Sequence, residues 1–181
     1  MNRPDRVLHA HLESATFLPV IVHAEDPRNR DVNVLDEYLG ELLIGYSFGP
    51  PYGRRFLTWP DVERMGLTHR RLRYQAAASL VSMLDEVQVH GQPPALMLSF
   101  GGVESSLLLA DEFIDGLERA VPGELVIGVP AQDVVLVTGS DSPPGLAKAR
   151  RAVDRIFFAG NQNLLLRDLL VRRYGAWEVF R

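Results

Sequence analysis

The chain has 181 residues, 46% of them hydrophobic and 23% charged, with a net charge of −4 and no cysteine. That length suits a single domain over residues 1–181, with 1–16 as an N-terminal fringe, able to bury roughly 70% of its unfolded surface without covalent staples. The composition excludes disulfides, thiolate metal sites and a cysteine nucleophile, and the acidic balance argues against a general nucleic-acid binder.

Phe17 to His23 (FLPVIVH) and Leu42 to Phe48 (LLIGYSF) have the β-branched and aromatic density of strands, the second running into the breaker Gly49-Pro50-Pro51-Tyr52-Gly53. The apolar run Phe17–Val22 is too short for a signal-peptide core or a membrane span, so a cytoplasmic location is expected. Arg54 to Thr58 predicts a short return strand. Thr58-Trp59-Pro60-Asp61 then predicts a helix start, because a threonine cap satisfies free N–H groups and an acid three residues on favours the positive helix end. Gly66 stops that helix, and Thr68 caps the next. Its inward stripe reads Ala76, Leu80, Met83, Leu84 and Val87, the spacing of a main core helix.

After Gly91-Gln92-Pro93-Pro94 a strand is predicted over Ala95–Phe100, with Leu96, Leu98 and Phe100 on one face. Gly101-Gly102 offers the positive-φ pair of a two-residue hairpin turn, which would return the chain through Val103 to Leu109. An amphipathic helix comes next, with Ala110, Phe113, Ile114, Leu117 and Val121 inward and Asp111, Asp115 and Glu118 outward, ended by Pro122-Gly123. Residues Glu124 to Thr138 (ELVIGVPAQDVVLVT) form two β-rich runs around a polar turn, the pattern of a buried hairpin. Asp141 or Ser142 caps a helix with prolines in its first turn and an inward stripe of Leu146, Ala149, Val153, Ile156 and Phe157, ended by Gly160. Asn163 is then expected to cap a leucine-rich helix to about Tyr174, with a closing strand over Ala176–Phe180. The order of hairpins and helices predicts an α+β fold, a largely antiparallel sheet built from hairpins with helices packed against it.

Several of these segments, taken in order, resemble the YtpQ-like family of bacterial proteins, a domain of unknown function. They are Tyr38-Leu39-Gly40 with LLIGYSF, Arg54-Arg55-Phe56-Leu57-Thr58, the Ala76–Leu80 helix, Ser105–Leu109, and Glu124–Val137 with its Val129-Pro130-Ala131-Gln132-Asp133 centre. The resemblance implies a cytoplasmic bacterial protein and assigns no activity. The chain departs from the family pattern at Gly49, Gln132 and Ser79, where Asp, Arg and Asn are expected, so a polar site built on those positions is not carried over.

The candidate binding residues fall in three groups. Gln132 and Asp133 tip the buried hairpin, where they either meet a ligand or serve as ordinary turn residues. Arg70, Arg71 and Arg73, with Arg54 and Arg55 upstream, supply guanidinium forks for carboxylates or anions, or form a solvated helix face. Asp111, Asp115 and Glu118 make an acidic stripe suited to a basic partner. Charge is also uneven along the chain, with eight basic and three acidic groups over 148–181 against 11 and 20 before them.

Other motifs stay incomplete. His9 and His11 alternate as strand ligands of a metal would, without a completing carboxylate pattern, and the other histidines, His23, His69 and His90, are isolated. Ser105-Ser106 lacks a nucleophile-elbow setting. The Gly139–Gly145 loop leads into a helix N-terminus, as phosphate sites do, but has no Gly-Lys-Ser/Thr ending and carries Asp141. Trp59, Trp177, Tyr46 and Tyr52 are interface anchors if exposed and core residues otherwise.

No catalytic residue, metal site or cofactor is therefore assigned. The expected function is a non-catalytic protein-binding factor, of an immunity or regulatory kind, with a protein partner and neither nucleic acid nor membrane. Two alternatives stay open. One is a metal-independent enzyme whose site forms only in three dimensions, with Asp133, Arg70 and a histidine as participants. The other is a phosphate- or nucleotide-binding module at Ser140–Ser142.

Overall fold

The computed structural model describes residues 16–160 and 162–181. Strand β1 (Thr16–His23) pairs antiparallel with β3 (Leu42–Gly49), from Thr16 opposite Gly49 to His23 opposite Leu42. The other edge of β3 takes β2 (Leu35–Leu39) and then the two-residue β4 (Arg55–Phe56). Helix α1 (Trp59–Arg64) begins at Thr58, whose hydroxyl accepts from the Asp61 N–H at 3.3 Å while the Asp61 carboxylate accepts from the Thr58 N–H at 3.1 Å. This reciprocal cap is the one its sequence predicts. Helix α2 (His69–Ser82), capped by Thr68, covers the small sheet by burying Leu72 and Ala76 among Phe17, Val34, Tyr46 and Leu57.

The second sheet has six strands, all paired antiparallel, in the order β10-β9-β7-β8-β6-β5. These are β5 (Gln88–His90), β6 (Leu96–Ser99), β7 (Leu125–Ala131), β8 (Val134–Gly139), β9 (Leu169–Arg173) and β10 (Ala176–Val179). Helix α3 (Asp111–Glu118) precedes β7, and α4 (Pro143–Ala159) comes after β8. The Ser142 hydroxyl accepts from the Gly145 N–H at 3.3 Å to cap α4, and Gly160 ends that helix at a φ of +67°.

Side-chain alternation divides the interior. From β7 and β8, Leu125, Ile127, Val129, Val135 and Val137 join Leu18, Val20 and Val22 of β1 in a central cluster. The intervening Val126 and Leu136 turn the other way, onto Ala149 and Val153 of α4. Both faces of the Glu124–Thr138 hairpin are thus apolar and covered, which is why the segment reads as two nearly continuous hydrophobic runs.

Two expectations are corrected. Gly101 and Gly102 do take positive φ, +65° and +89°, but the chain does not return as a hairpin strand. Glu104 captures the turn by accepting the N–H groups of Phe100 (2.7 Å) and Gly102 (3.2 Å), and Glu104–Leu109 forms a 3-10 helix. The edge of β6 that a hairpin would have used belongs to β8, with Leu96 opposite Val137. Likewise the leucine-rich run after Asn163 is not a helix. Leu164 bridges to Ala131, and Leu169–Arg173 enters the sheet between β7 and β10. A short run that is apolar on both faces suits a buried strand as well as a helix, and pairing with β7 decided between them.

The main core helix is also shorter than its stripe predicts. It ends at Ser82, and Val87 leads into β5 after a 3-10 turn over Leu84–Glu86. Strand β2, half-buried and carrying Asp36 and Glu37, lacks the β-branched density that marks the other strands.

Truncating a side chain at the centre of this arrangement tests it. Ile127→Ala is expected to lower unfolding free energy by about 2–5 kcal/mol in urea titration, at an unchanged m-value. A loss under about 1 kcal/mol would contradict a close-packed layer between the sheets.

Candidate functional site

Gln132 and Asp133 separate at the hairpin tip. Asp133 is exposed, whereas Gln132 is buried and ties the tip to the first sheet. Its side-chain oxygen accepts from Arg28 Nη2 at 2.9 Å, and its backbone carbonyl accepts from the Ser105 N–H at 3.0 Å. Arg28 Nη1 also donates to the Gly53 carbonyl at 2.6 Å, and Nε donates to Asp26 at 2.9 Å. Gly53 holds a φ of +80°, and a Cβ there would overlap the Gln132 amide. Arg28 therefore braces the β7–β8 turn against the loop after β3. A cleft of about 520 Å3 opens beside it, lined by His23, Asp26, Arg28 and Asn163 among others. Each guanidinium nitrogen of Arg28 already has an acceptor, so the residue serves the cleft as a wall rather than as an anion receptor.

The acidic stripe of α3 is clamped. Arg172 of β9 lies buried beneath it, donating to Asp115 at 2.6 Å and to Asp111 at 3.3 Å, with Glu118 3.7 Å away. A residue predicted to lie in a helix thus sits in the sheet, and its guanidinium offsets the like-charge repulsion of the three acids. Nearby, Tyr38 donates to the Leu108 carbonyl at 3.4 Å, and burial, with the Asp111 charge, pushes its phenol up to about 12.

Around Asp36 a further set converges. Tyr46 donates to the carboxylate, His69 Nε2 lies 3.0 Å from it and Arg73 Nε 3.6 Å. Burial first, then the hydrogen bond and charge of Asp36, raise the Tyr46 pKa. The Trp59 ring meets His69 edge-on at 5.3 Å. No local pattern of residues signals this group, since the pairing of β2 with β3 and the docking of α2 on that sheet bring positions 36, 46 and 69 together. Its geometry is that of an anchor: Tyr46 and His69, with the Arg73 charge beside them, engage one carboxylate and fix the start of α2 on the sheet.

The outer face of α2 carries the remaining candidates. With Leu72, Ala76 and Leu80 buried, the opposite side of the helix presents Arg70, Tyr74, Ala77, Ala78 and Val81, at steps of four, three, one and three. Tyr74 is 76% exposed and Val81 58%. Arg71 flanks this stripe. Among the described residues neither Arg70 nor Arg71 has an acidic partner, while Arg73 leans on Asp36. Of the aromatic anchors, Trp59 is 40% exposed, Tyr46 is core, and Tyr52 and Trp177 pack against the central cluster.

The incomplete motifs stay apart. Ser105 and Ser106 are buried in the 3-10 helix. In the loop before α4 the Ser140 hydroxyl accepts from the Glu124 N–H at 2.8 Å and Ser142 caps the helix, so these hydroxyls are structural. His9 and His11 lie outside the described residues. Among the described residues no cluster of three or more His, Asp or Glu side chains could hold a metal ion, and no helix is long and apolar enough to cross a membrane.

Comparison with known proteins places the chain near one group. It is similar to an uncharacterised bacterial family. A UPF0354 protein of Listeria monocytogenes serotype 4a is 29% identical over 129 residues, 68% of this chain and 48% of the relative. One from Listeria innocua is 28% identical over 130 residues, covering 68% and 49%. A Bacillus cytotoxicus member is 23% identical over 131 residues, covering 69% and 48%. The chain spans about half the length of the curated relatives it matches. No family model and no solved structure matches it.

The Arg28 brace has a pH signature. Burial on its own would raise the Asp26 pKa, but the side-chain and backbone hydrogen bonds from Arg28, with its charge, outweigh burial and hold it below the usual carboxylate value of 3.8. A depressed folded-state pKa stabilises the fold above the unfolded value, and that contribution is lost as pH falls through the folded pKa. Stability measured by urea titration from pH 6 to pH 2 should therefore decline less steeply below about pH 4 in Asp26→Asn than in the parent. Superimposable acid limbs would remove Asp26 from the brace.

Proposed function

We propose that this chain is a non-catalytic protein-binding factor of an immunity or regulatory kind, cytoplasmic and of the YtpQ-like group. Its docking surface is the outer face of α2. The observation that supports it is the uncovered stripe of Tyr74, Ala77, Ala78 and Val81 between Arg70 and Arg71. Ala77 and Ala78 favour the helix itself, but the exposed Tyr74 and Val81 are not needed to hold it in place, because that face is already filled by Leu72, Ala76 and Leu80. A large aromatic beside guanidiniums that have no acidic partner among the described residues is also the composition of interface hot spots.

The partner this face fits is a helix or loop that offers apolar side chains flanked by carboxylates. Trp59 extends the surface past the N-terminus of α2, through its contact with His69. Three of the polar clusters are engaged internally, which supports the binding reading over catalysis. Arg28 has an acceptor at each guanidinium nitrogen, Arg172 holds three acids, and Asp36 meets Tyr46, His69 and Arg73. A general base needs an unsatisfied site facing a cleft where a substrate atom sits.

Photo-crosslinking at Tyr74→p-benzoylphenylalanine in the source bacterium tests this. A single acidic protein should be captured, and Arg70→Glu with Arg71→Glu should abolish capture while shifting stability by no more than about 0.5 kcal/mol. With the captured partner purified, Tyr74→Ala should weaken binding by about 2 kcal/mol or more. Capture that survives charge reversal, or that spreads over many unrelated proteins, would dismiss α2 as the docking face.

A further inference from the structure

The far edge of the six-stranded sheet lies apart from α2 and ends in an unpaired strand among the described residues. Strand β5 ends the sheet, and the outward N–H and C=O groups of Gln88–His90 have no strand partner among the described residues. Helix α4 packs on β7 and β8 and stops short of this edge, leaving Met97 46% exposed, while Val89, on the other face of the sheet opposite Leu98, is 55% exposed. Where the helix ends its cover, a cavity of about 190 Å3 opens between sheet and helix. Leu96, Met97, Leu136, Ala149 and Ala152 line it, with Lys148 and His90 beside its mouth. A cavity of roughly 150 Å3 lined by aliphatic groups admits benzene, so this one has room for a leucine or isoleucine side chain.

Charge adds direction. Lys148, the chain's single lysine, places Nζ 3.4 Å from the Ala95 carbonyl at the cavity. Arg151 and Arg155 stand on α4 three and seven residues later, exposed and with no acidic partner among the described residues. At the opposite end of β5 stand the exposed acids Asp85 and Glu86. The edge therefore runs from negative to positive over three residues.

We propose that this edge binds an extended acidic segment of a partner protein by strand addition. The segment pairs with Gln88–His90 through its backbone, seats one aliphatic side chain in the cavity, and lays a carboxylate at Lys148. Period-two geometry sets the spacing. His90 opposes Met97, so side chains on the α4 face of the added strand alternate with outward ones, and the aliphatic residue and the carboxylate stand two positions apart. The gradient from Asp85–Glu86 to Lys148 selects one strand direction over the other.

The test uses the full chain, labelled with nitrogen-15, and a blocked seven-residue peptide, Thr-Val-Thr-Ile-Thr-Glu-Thr. Amide shifts should concentrate on Gln88–His90, Met97 and Ala149, and the peptide with serine in place of isoleucine should bind more weakly. Lys148→Glu should reduce affinity about tenfold, two opposed surface ion-pair contributions together reaching that scale. It should also improve binding of the peptide whose glutamate is replaced by lysine. The Arg70→Glu, Arg71→Glu chain should bind the peptide like the parent, so failure at α2 and failure here are told apart. Shifts centred elsewhere, indifference to Lys148→Glu, or a dimer of the chain closed through β5 would overturn the proposal.

Discussion

Strand β7 is the constraint on which the other elements depend, because it is paired on both edges and buried on both faces. Its neighbours β8 and β9 take its backbone groups, Leu125, Ile127 and Val129 face the central cluster, and Val126 faces α4. Gly128 makes the second face possible. A Cβ there would stand 3.1 Å from both Val153 of α4 and Leu169 of β9, tighter than ordinary carbon contacts, so a bare backbone lets the helix approach the sheet. Along this one strand the alternation of side chains determines which layer every neighbour joins.

The hairpin tip carries that constraint into the smaller sheet. The β7–β8 pairing shifts register between Gly128 and Ala131, around Pro130, and the turn beyond it swings Gln132 inward to Arg28 and Gly53. The joint depends on two features outside the hairpin. A glycine at position 53 leaves space for the Gln132 amide, and Asp26 keeps Arg28 oriented through both its side chain and its backbone. The guanidinium that meets Gln132 comes from a residue 104 positions away.

Legibility in the sequence depended on how local each cause was. Capping at Thr58, Thr68 and Ser142 involves three residues or fewer, and those helix starts were readable. The β7–β8 hairpin was readable because both of its faces are apolar and its turn lies between them. Gly101-Gly102 misled for an instructive reason. The glycines make the turn that their conformational freedom predicts, but the carboxylate of Glu104 and the pairing of β6 with β8 set the path of the chain beyond it. Leu169–Val171 misled because a run apolar on both faces has no helical or strand periodicity to read. The Asp36 group and the Arg172 clamp were invisible, since they join residues of separate elements 10 to 61 positions apart.

Where charge lies, rather than how much there is, governs the surfaces left for partners. The chain is net acidic, yet many of its acids are taken up: Asp111, Asp115 and Glu118 by Arg172, Asp26 by Arg28, Glu124 by Arg173, and Asp36 by His69 and Arg73. The cations left without acidic partners among the described residues include Arg70 and Arg71 on α2 and Lys148, Arg151 and Arg155 on α4. Both sets lie beside exposed aliphatic or aromatic groups. A field summed over the whole chain would repel an acidic partner at long range, but at 0.15 M salt charges more than about 8 Å apart are largely screened. Close to either helix the local cations dominate, so a net charge of −4 is compatible with two surfaces that each favour carboxylates.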